Sequence, residues 1–99
     1  MNQTFGLIIS YRLDRWSPVE RTRFNRKFLG YNDKSQYGKY SYFREGLMTK
    51  IPHVHVSKSL FIILEDDLKR VKNFCDEYNL ELFIRKVILT KSDIRALSK

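Results

Sequence analysis

The segment FGLIISYRLDRWSPVE, residues 5–20, contains the sequence signals for the first two secondary-structure elements. Period-two alternation of apolar and aromatic side chains predicts a strand with one buried face. The side chains that alternate onto that face are Phe5, Leu7, Ile9, Tyr11 and Leu13. Ser17, Pro18 and Glu20 then match a helix start, with an N-cap, a proline in the first turn and a capping box. The segment therefore predicts a strand followed directly by a helix.

The elements after this segment are predicted by the same kinds of local signal. Glycine is typical of the residue that ends a helix, a polar run favours a loop, and further apolar runs predict strands. The predicted elements after the helix start are, in order, a helix end at Gly30, a loop over Tyr31–Gly38, a strand over Lys39–Glu45, a strand within Val54–Leu64, a helix led by Glu65, a strand over Leu80–Thr90, and a short helix capped by Thr90 or Ser92.

The order β-α-β-β-α-β plus a short C-terminal helix resembles the ferredoxin-like sandwich, the split βαβ arrangement of the α+β class. In that fold both helices pack on one face of an antiparallel sheet, and the other face is free. We expect Phe24, Phe28 and Phe43 to belong to the core. Ninety-nine residues with 42% hydrophobic content fit a single domain, residues 1–99.

The charge of the chain indicates a polyanionic partner. Nineteen Lys and Arg residues against eleven Asp and Glu residues give a net charge of +8. Residues 1–50 carry ten basic and four acidic groups, whereas residues 51–99 carry nine and seven. An uneven basic surface attracts polyanions over long distances, and nucleic acid is the commonest of them. The composition therefore favours binding to DNA or RNA.

The segment Arg21–Glu45 combines basic and aromatic side chains more densely than the rest of the chain. Arg and Lys neutralise phosphates, while exposed tyrosines stack on unpaired bases. We predict a non-enzymatic nucleic-acid-binding surface in which Arg44 shares a strand face with the last two tyrosines. The predicted phosphate contacts are Arg21, Arg23, Arg26, Lys27, Lys34 and Lys39, and the predicted stacking residues are Tyr37, Tyr40 and Tyr42.

An enzymatic alternative rests on His53-Val54-His55. Histidines at i and i+2 of a strand point the same way, so both imidazoles can bind one cation while Val54 and Val56 face inward. The spacing resembles the His-hydrophobic-His strand of HUH endonucleases, which bind a divalent metal and use a tyrosine nucleophile. That resemblance implies a metal-dependent nuclease with Tyr78 as the attacking residue.

A second enzymatic alternative rests on Asp14, at the predicted end of the first strand. Small dimeric ferredoxin-like nucleases are similar in layout, and they carry an acidic residue at that place. The resemblance implies that two copies of Asp14 would meet around Mg²⁺. Arg12 and Arg15 flank Asp14 in the sequence, so a surface ion pair explains the residue equally well.

Three further expectations concern partners and location. An unpaired edge strand in a small sheet favours a homodimer, which could also make the chain a protein-interaction module. The single Cys75 follows the apolar stripe of its helix and is expected to be a buried structural residue. The lone cysteine, the lack of a long apolar run and the lack of a visible secretory signal favour a cytoplasmic protein without a membrane partner.

Overall fold

A computed structural model of the chain describes residues 3–35 and 38–98, without the side chain of Ser35. The chain forms two compact units, which we call the sheet unit (residues 1–13 and 51–99) and the hairpin unit (residues 14–50). The elements of the two units, in chain order, are β1 (Phe5–Ser10), α1 (Pro18–Leu29), β2 (Tyr31–Ser35), β3 (Tyr40–Arg44), β4 (His53–Ser57), β5 (Leu60–Ile63), α2 (Leu68–Glu77), β6 (Phe83–Ile88) and α3 (Lys91–Leu97).

The sheet unit contains an antiparallel sheet with the strand order β4-β5-β1-β6. Leu7 pairs with Ile63 and Ile9 with Phe61, and all four side chains are buried. Residues that pair across two strands lie on the same face of the sheet. The residues of β5 that pair with the buried residues of β1 are therefore buried as well. β5 lies inside the sheet between β4 and β1, which is consistent with a sequence that is apolar on both faces.

The helices of the sheet unit begin and end at local signals. A 3₁₀ turn over Glu65–Asp67 leads into α2, and α2 buries Val71 and Cys75. Asn79 follows the end of α2 with a positive φ of 53°, a left-handed conformation that asparagine tolerates. Thr90 forms a capping box with Asp93 at the start of α3, and α3 contacts β4.

The hairpin unit contains α1 and the two-stranded sheet β2–β3. Ser17 Oγ accepts a hydrogen bond from the Glu20 amide, and the Glu20 carboxylate accepts one from the Ser17 amide, so the predicted capping box is present. Phe24 and Phe28 are fully buried, with ring centroids 5.1 Å apart. Trp16 packs edge-on against Phe24, which closes this small aromatic core.

The mixed α+β class is confirmed, whereas several predicted elements are wrong. The predicted loop Tyr31–Gly38 contains β2, because its polar residues pair with β3 in a sheet that has solvent on both faces. The predicted second strand is therefore not a strand of the main sheet. Phe43 is 57% exposed rather than part of the core.

Two strand boundaries also differ from the prediction. The single strand expected within Val54–Leu64 is the hairpin β4–β5, which turns at Ser59 with a positive φ of 62°. No glycine, asparagine or aspartate marks this turn, so the usual sequence signal was missing. The first strand ends at Ser10 instead of Leu13. Within residues 3–35 and 38–98, no helix is long and apolar enough to cross a membrane.

Candidate nucleic-acid interface

The exposed side of α1 carries a groove between basic and apolar side chains. Phe24 and Phe28 bury one side of the helix, and Arg26 lies on the opposite side because each residue turns the helix by about 100°. The groove has a volume of about 340 Å³. We call it the α1 groove, and its lining residues are Pro18, Val19, Thr22, Arg23 and Arg26.

Arg26 connects this helix face to the hairpin. Its guanidinium carbon lies 4.6 Å from the centroid of the Tyr31 ring, at the start of β2. A guanidinium over an aromatic face is held by the ring quadrupole, and it keeps its N–H donors directed outward. The α1 groove and one face of the hairpin therefore form one continuous surface within the hairpin unit.

That hairpin face, which we call the tyrosine face, carries three of the tyrosines. Tyr31 pairs with Arg44, and Asp33 pairs with Tyr42, so their side chains share a face with Tyr40 two residues before Tyr42. Tyr40 is 44% exposed and Tyr42 is 53% exposed. The Lys39 ammonium lies 5.8 Å from the Tyr40 ring centroid. Exposed rings beside a cation are the arrangement that proteins use to bind unpaired bases.

The charges on the tyrosine face are not all available to a partner. Arg44 Nε donates a hydrogen bond to Asp33 Oδ2 at 3.2 Å, and this ion pair offsets the Arg44 charge locally. By contrast, Arg23 has no ion pair or hydrogen bond to a side chain in the described part of the chain. The hairpin unit carries nine basic and four acidic residues, a net charge of +5. On this surface, Arg23, Arg26 and Lys39 are the cations without a carboxylate partner among the described residues.

The structure brings together only part of the predicted binding set. Arg23, Arg26, Lys39, Tyr40, Tyr42 and Arg44 lie on the α1 groove or the tyrosine face. Lys34 pairs with Ser41 on the opposite hairpin face, together with Phe43. Tyr37 lies outside the described residues. Tyr31 is a member of the surface that sequence reasoning missed, because its stretch reads as a polar loop.

Two predicted helix cations point away from Arg26. Lys27 is exposed but turned by about 100° from Arg26 around the helix axis, and it does not line the α1 groove. Arg21 donates from Nε to the Trp16 carbonyl oxygen at 3.0 Å, beside the aromatic core. Both residues can add to the long-range attraction of a polyanion, but neither lies on the continuous surface.

His53 and His55 both pack against the buried Phe61 ring. His55 stacks on it with a centroid distance of 4.1 Å, and His53 meets its edge at 5.8 Å. Both histidines therefore share the face of the buried Phe61, and the expectation that Val54 and Val56 face inward is wrong: Val56 is 52% exposed. Register pairing with Ile63 and Phe61 of β5 sets both histidines on that face, where His53 is half-buried and His55 is exposed.

The histidine pair has part of what a metal site needs. His53 Nδ1 lies 2.8 Å from the Ile51 carbonyl oxygen, and donation there would leave Nε2 free to bind a metal. Within residues 3–35 and 38–98, however, no group of three His, Cys, Asp or Glu side chains could hold an ion. Tyr78 packs against the Phe74 ring at 5.2 Å. Asp14 lies in a turn beyond the end of β1, not at the strand end as predicted.

Cys75 and Tyr11 are buried groups of the sheet-unit core. Burial, with a smaller contribution from the Asp76 carboxylate, raises the pKa of the Cys75 thiol from 9.0 to about 12. Burial also raises the pKa of Tyr11 from 10.0 to about 12, against a hydrogen bond from Ser59 that lowers it. A fully buried thiol with a raised pKa is not a nucleophile at neutral pH, which confirms the structural role predicted for Cys75.

Comparison of the chain with protein-family models, with curated protein sequences and with solved structures found no match.

Proposed function

We propose that the protein binds nucleic acid, DNA or RNA, through the α1 groove and the tyrosine face of the hairpin unit, without catalysing a reaction. The observation that carries the proposal is the Arg26 guanidinium over the Tyr31 ring, 4.6 Å from its centroid. This contact joins a row of helix cations to a row of exposed tyrosines. Cations that can bind phosphates and aromatic rings that can stack on bases therefore lie on one surface.

The physical roles of the two parts differ. Arg23, Arg26 and Lys39 supply charge for phosphates, and their binding to nucleic acid would release counterions. Tyr40 and Tyr42 supply exposed rings, and stacking of one base on an aromatic ring contributes about 1–3 kcal/mol. Strand residues two apart lie about 7 Å from each other, so the two rings can each take a separate base. This arrangement favours single-stranded over duplex nucleic acid.

A charge-matched pair of variants tests the proposal. The double variant Arg23→Gln/Arg26→Gln removes two cations from α1. The control Lys69→Gln/Lys72→Gln removes two exposed cations from α2 at the same i, i+3 spacing, so both proteins have the same net charge. Binding is measured by fluorescence anisotropy with labelled single- and double-stranded DNA and RNA at two salt concentrations.

We expect the α1 variant to lose most of its affinity and the α2 control to keep it. Equal losses in both variants would mean that net charge alone attracts the nucleic acid, without a defined surface. Affinity that does not fall with salt, or no binding to any of the four ligands, would remove the proposed function.

The metal-dependent nuclease stays the enzymatic alternative, since the Ile51 contact of His53 is compatible with a metal-binding Nε2. It predicts cleavage that depends on Mn²⁺ or Mg²⁺ and is abolished by His55→Ala. The version based on Asp14 predicts cleavage that is abolished by Asp14→Asn instead. Absence of cleavage on single- and double-stranded substrates with both metals would contradict both versions.

A homodimer stays a separate prediction. Two edge strands, β4 and β6, end the main sheet. The β4 edge is interrupted by a bulge between His55 and Ser57, whereas β6 is regular. Antiparallel pairing of two β6 strands in full register would set Arg85 of one copy opposite Lys86 of the other, which is unfavourable. Sedimentation velocity at two salt concentrations tests whether any dimer forms.

We also propose that the sheet unit is a ferredoxin-like split βαβ sheet into which the β2–β3 hairpin is inserted. Support comes from the pairing: β5 and β6 both run antiparallel to β1, lie on either side of it, and are joined through α2. In the same way β1 and β4 lie on either side of β5, and the hairpin unit connects them in the chain. An experimental structure of the whole chain tests this arrangement.

A further inference from the structure

The α1 groove has a chemical polarity along the helix axis. Pro18, Val19 and Thr22 line its N-terminal part, and Arg23 and Arg26 line its C-terminal part. Eight residues separate Pro18 from Arg26, which is about 12 Å along the helix. One end therefore offers apolar contact and the other end offers two guanidinium groups.

The apolar end of the groove is exposed to solvent. Val19 is 63% exposed, and it lies on the side of α1 that faces away from the aromatic core. The groove is shallow and open to solvent, with a volume of about 340 Å³, so it can receive one side of a compact group. A planar ring can cover Val19 and the Thr22 methyl group together.

The charged end is suited to a phosphate. Among the described residues no acidic side chain lines the groove, and the one carboxylate of α1, Glu20, accepts a hydrogen bond from the Ser17 amide in the capping box. Arg26 is held in place by the Tyr31 ring. Guanidinium groups bind phosphate oxygens through paired hydrogen bonds, and a preoriented guanidinium loses less freedom in doing so.

We propose that the α1 groove is a nucleotide site, in which the base lies against Val19 and Thr22 while Arg23 and Arg26 bind the phosphate of the same nucleotide. This inference rests on the proposed function and refines it: one nucleotide of the bound strand is held by its base as well as its phosphate. The tyrosine face, which adjoins the groove at Arg26, takes the neighbouring nucleotides.

A titration of the full chain with adenosine monophosphate tests the site, followed by the amide shifts of α1 in ¹H–¹⁵N spectra. Adenosine and inorganic phosphate are titrated separately as the two halves of the ligand. We expect the mononucleotide to shift the amides of the groove at lower concentration than either half. Equal shifts from phosphate alone, or from a polyglutamate of comparable charge, would overturn the assignment to a nucleotide.

Two variants with matched controls separate the base from the phosphate. Val19→Asn removes the apolar contact without changing charge, and Val56→Asn makes the same change at a 52% exposed valine on β4. Thr22→Glu places a carboxylate one turn before Arg26, and Asn73→Glu makes the same charge change on α2. We expect Val19→Asn to weaken mononucleotide binding about tenfold, since the exposed valine surface is what the base would bury.

Single-stranded oligonucleotides distinguish failure of this site from failure of the proposed function. Val19→Asn should reduce affinity for a normal strand but not for an abasic strand, which keeps its phosphates and lacks bases. Salt-dependent binding of the normal strand that is equally strong in the Val19→Asn and wild-type proteins would overturn the nucleotide site and leave the proposed function intact. Absence of binding to either strand would overturn both.

Discussion

Replacing Arg23 by glutamine should remove one phosphate contact and so reduce the slope of log affinity for nucleic acid against log salt. Three cations, Arg23, Arg26 and Lys39, lie on the continuous surface without a carboxylate partner in the described part of the chain. Each contact with a single strand contributes about −0.7 to the slope of log affinity against log salt. The expected slope is therefore about −2, and affinity should fall about 20-fold between about 50 and about 200 mM salt.

If all six cations predicted from the sequence contacted phosphates, the salt dependence would be steeper. Six contacts would produce a slope of about −4 and a loss of about 300-fold over the same salt range. The structure excludes Lys34 from the surface because it pairs with Ser41 on the opposite hairpin face. Arg23→Gln should therefore reduce the slope to about −1.4, whereas Lys34→Gln should leave it near −2.

Fluorescence anisotropy titrations at four or more salt concentrations measure these slopes directly. The two variants remove the same charge from the same unit, so each is the control for the other. Equal slopes in Arg23→Gln and Lys34→Gln would refute the assignment of binding to one face. A wild-type slope near −4 would show that cations outside the continuous surface also contact phosphates.

Three further predictions concern stability. Burial raises the Cys75 pKa from 9.0 to about 12, so as pH rises the unfolded state releases the thiol proton first, and the free energy of unfolding should fall between pH 9 and pH 12. Cys75 should contribute a slope of at most about 1.4 kcal/mol per pH unit. Urea unfolding measured against pH should show this slope in the wild-type protein but not in Cys75→Ala. Gly46→Ala should prevent native packing of the hairpin unit, because a Cβ at this position meets the backbone of residues 28–30. Gly38→Ala has no atom within 4 Å of the added Cβ, so only the φ of +84° opposes it, and it should lower the free energy of unfolding by about 1 kcal/mol in the same assay. His55→Ala should lower the melting temperature, because the stacking of this ring on Phe61, about 0.5–1.5 kcal/mol, is lost. It should leave the affinity for nucleic acid unchanged. A variant with normal stability and no affinity would contradict a structural role for the ring.

The sequence was most informative where short-range chemistry decides the structure. The capping boxes at Ser17 and Thr90 are formed by residues three apart, so a local pattern identifies them. The buried pair Phe24 and Phe28 follows from helical spacing alone, and so does the burial of Cys75. These signals need no information about which distant segments meet.

The strand β2 could not be predicted because it has no buried face, whereas β3 lies within the predicted strand Lys39–Glu45. Strand prediction depends on apolar alternation, and the stretch from Tyr31 to Ser35 is polar and solvent-exposed on the side of Asn32 and Lys34. Its strand conformation comes from backbone pairing with β3, which is a property of two segments together. The same pairing exposes Phe43, whose apolar side chain predicted a place in the core.

Local sequence patterns therefore predict the mixed α+β class, the helix starts, the buried helix stripes and a basic, tyrosine-rich segment as the candidate surface. Which of those residues lie on one surface follows from the tertiary structure. Strand register placed Tyr40 and Tyr42 on one face and Lys34 on the other, and the Arg26–Tyr31 contact joined the helix to the hairpin. Register and stacking depend on how two separate segments pair, and the composition and periodicity of either segment alone do not specify that pairing.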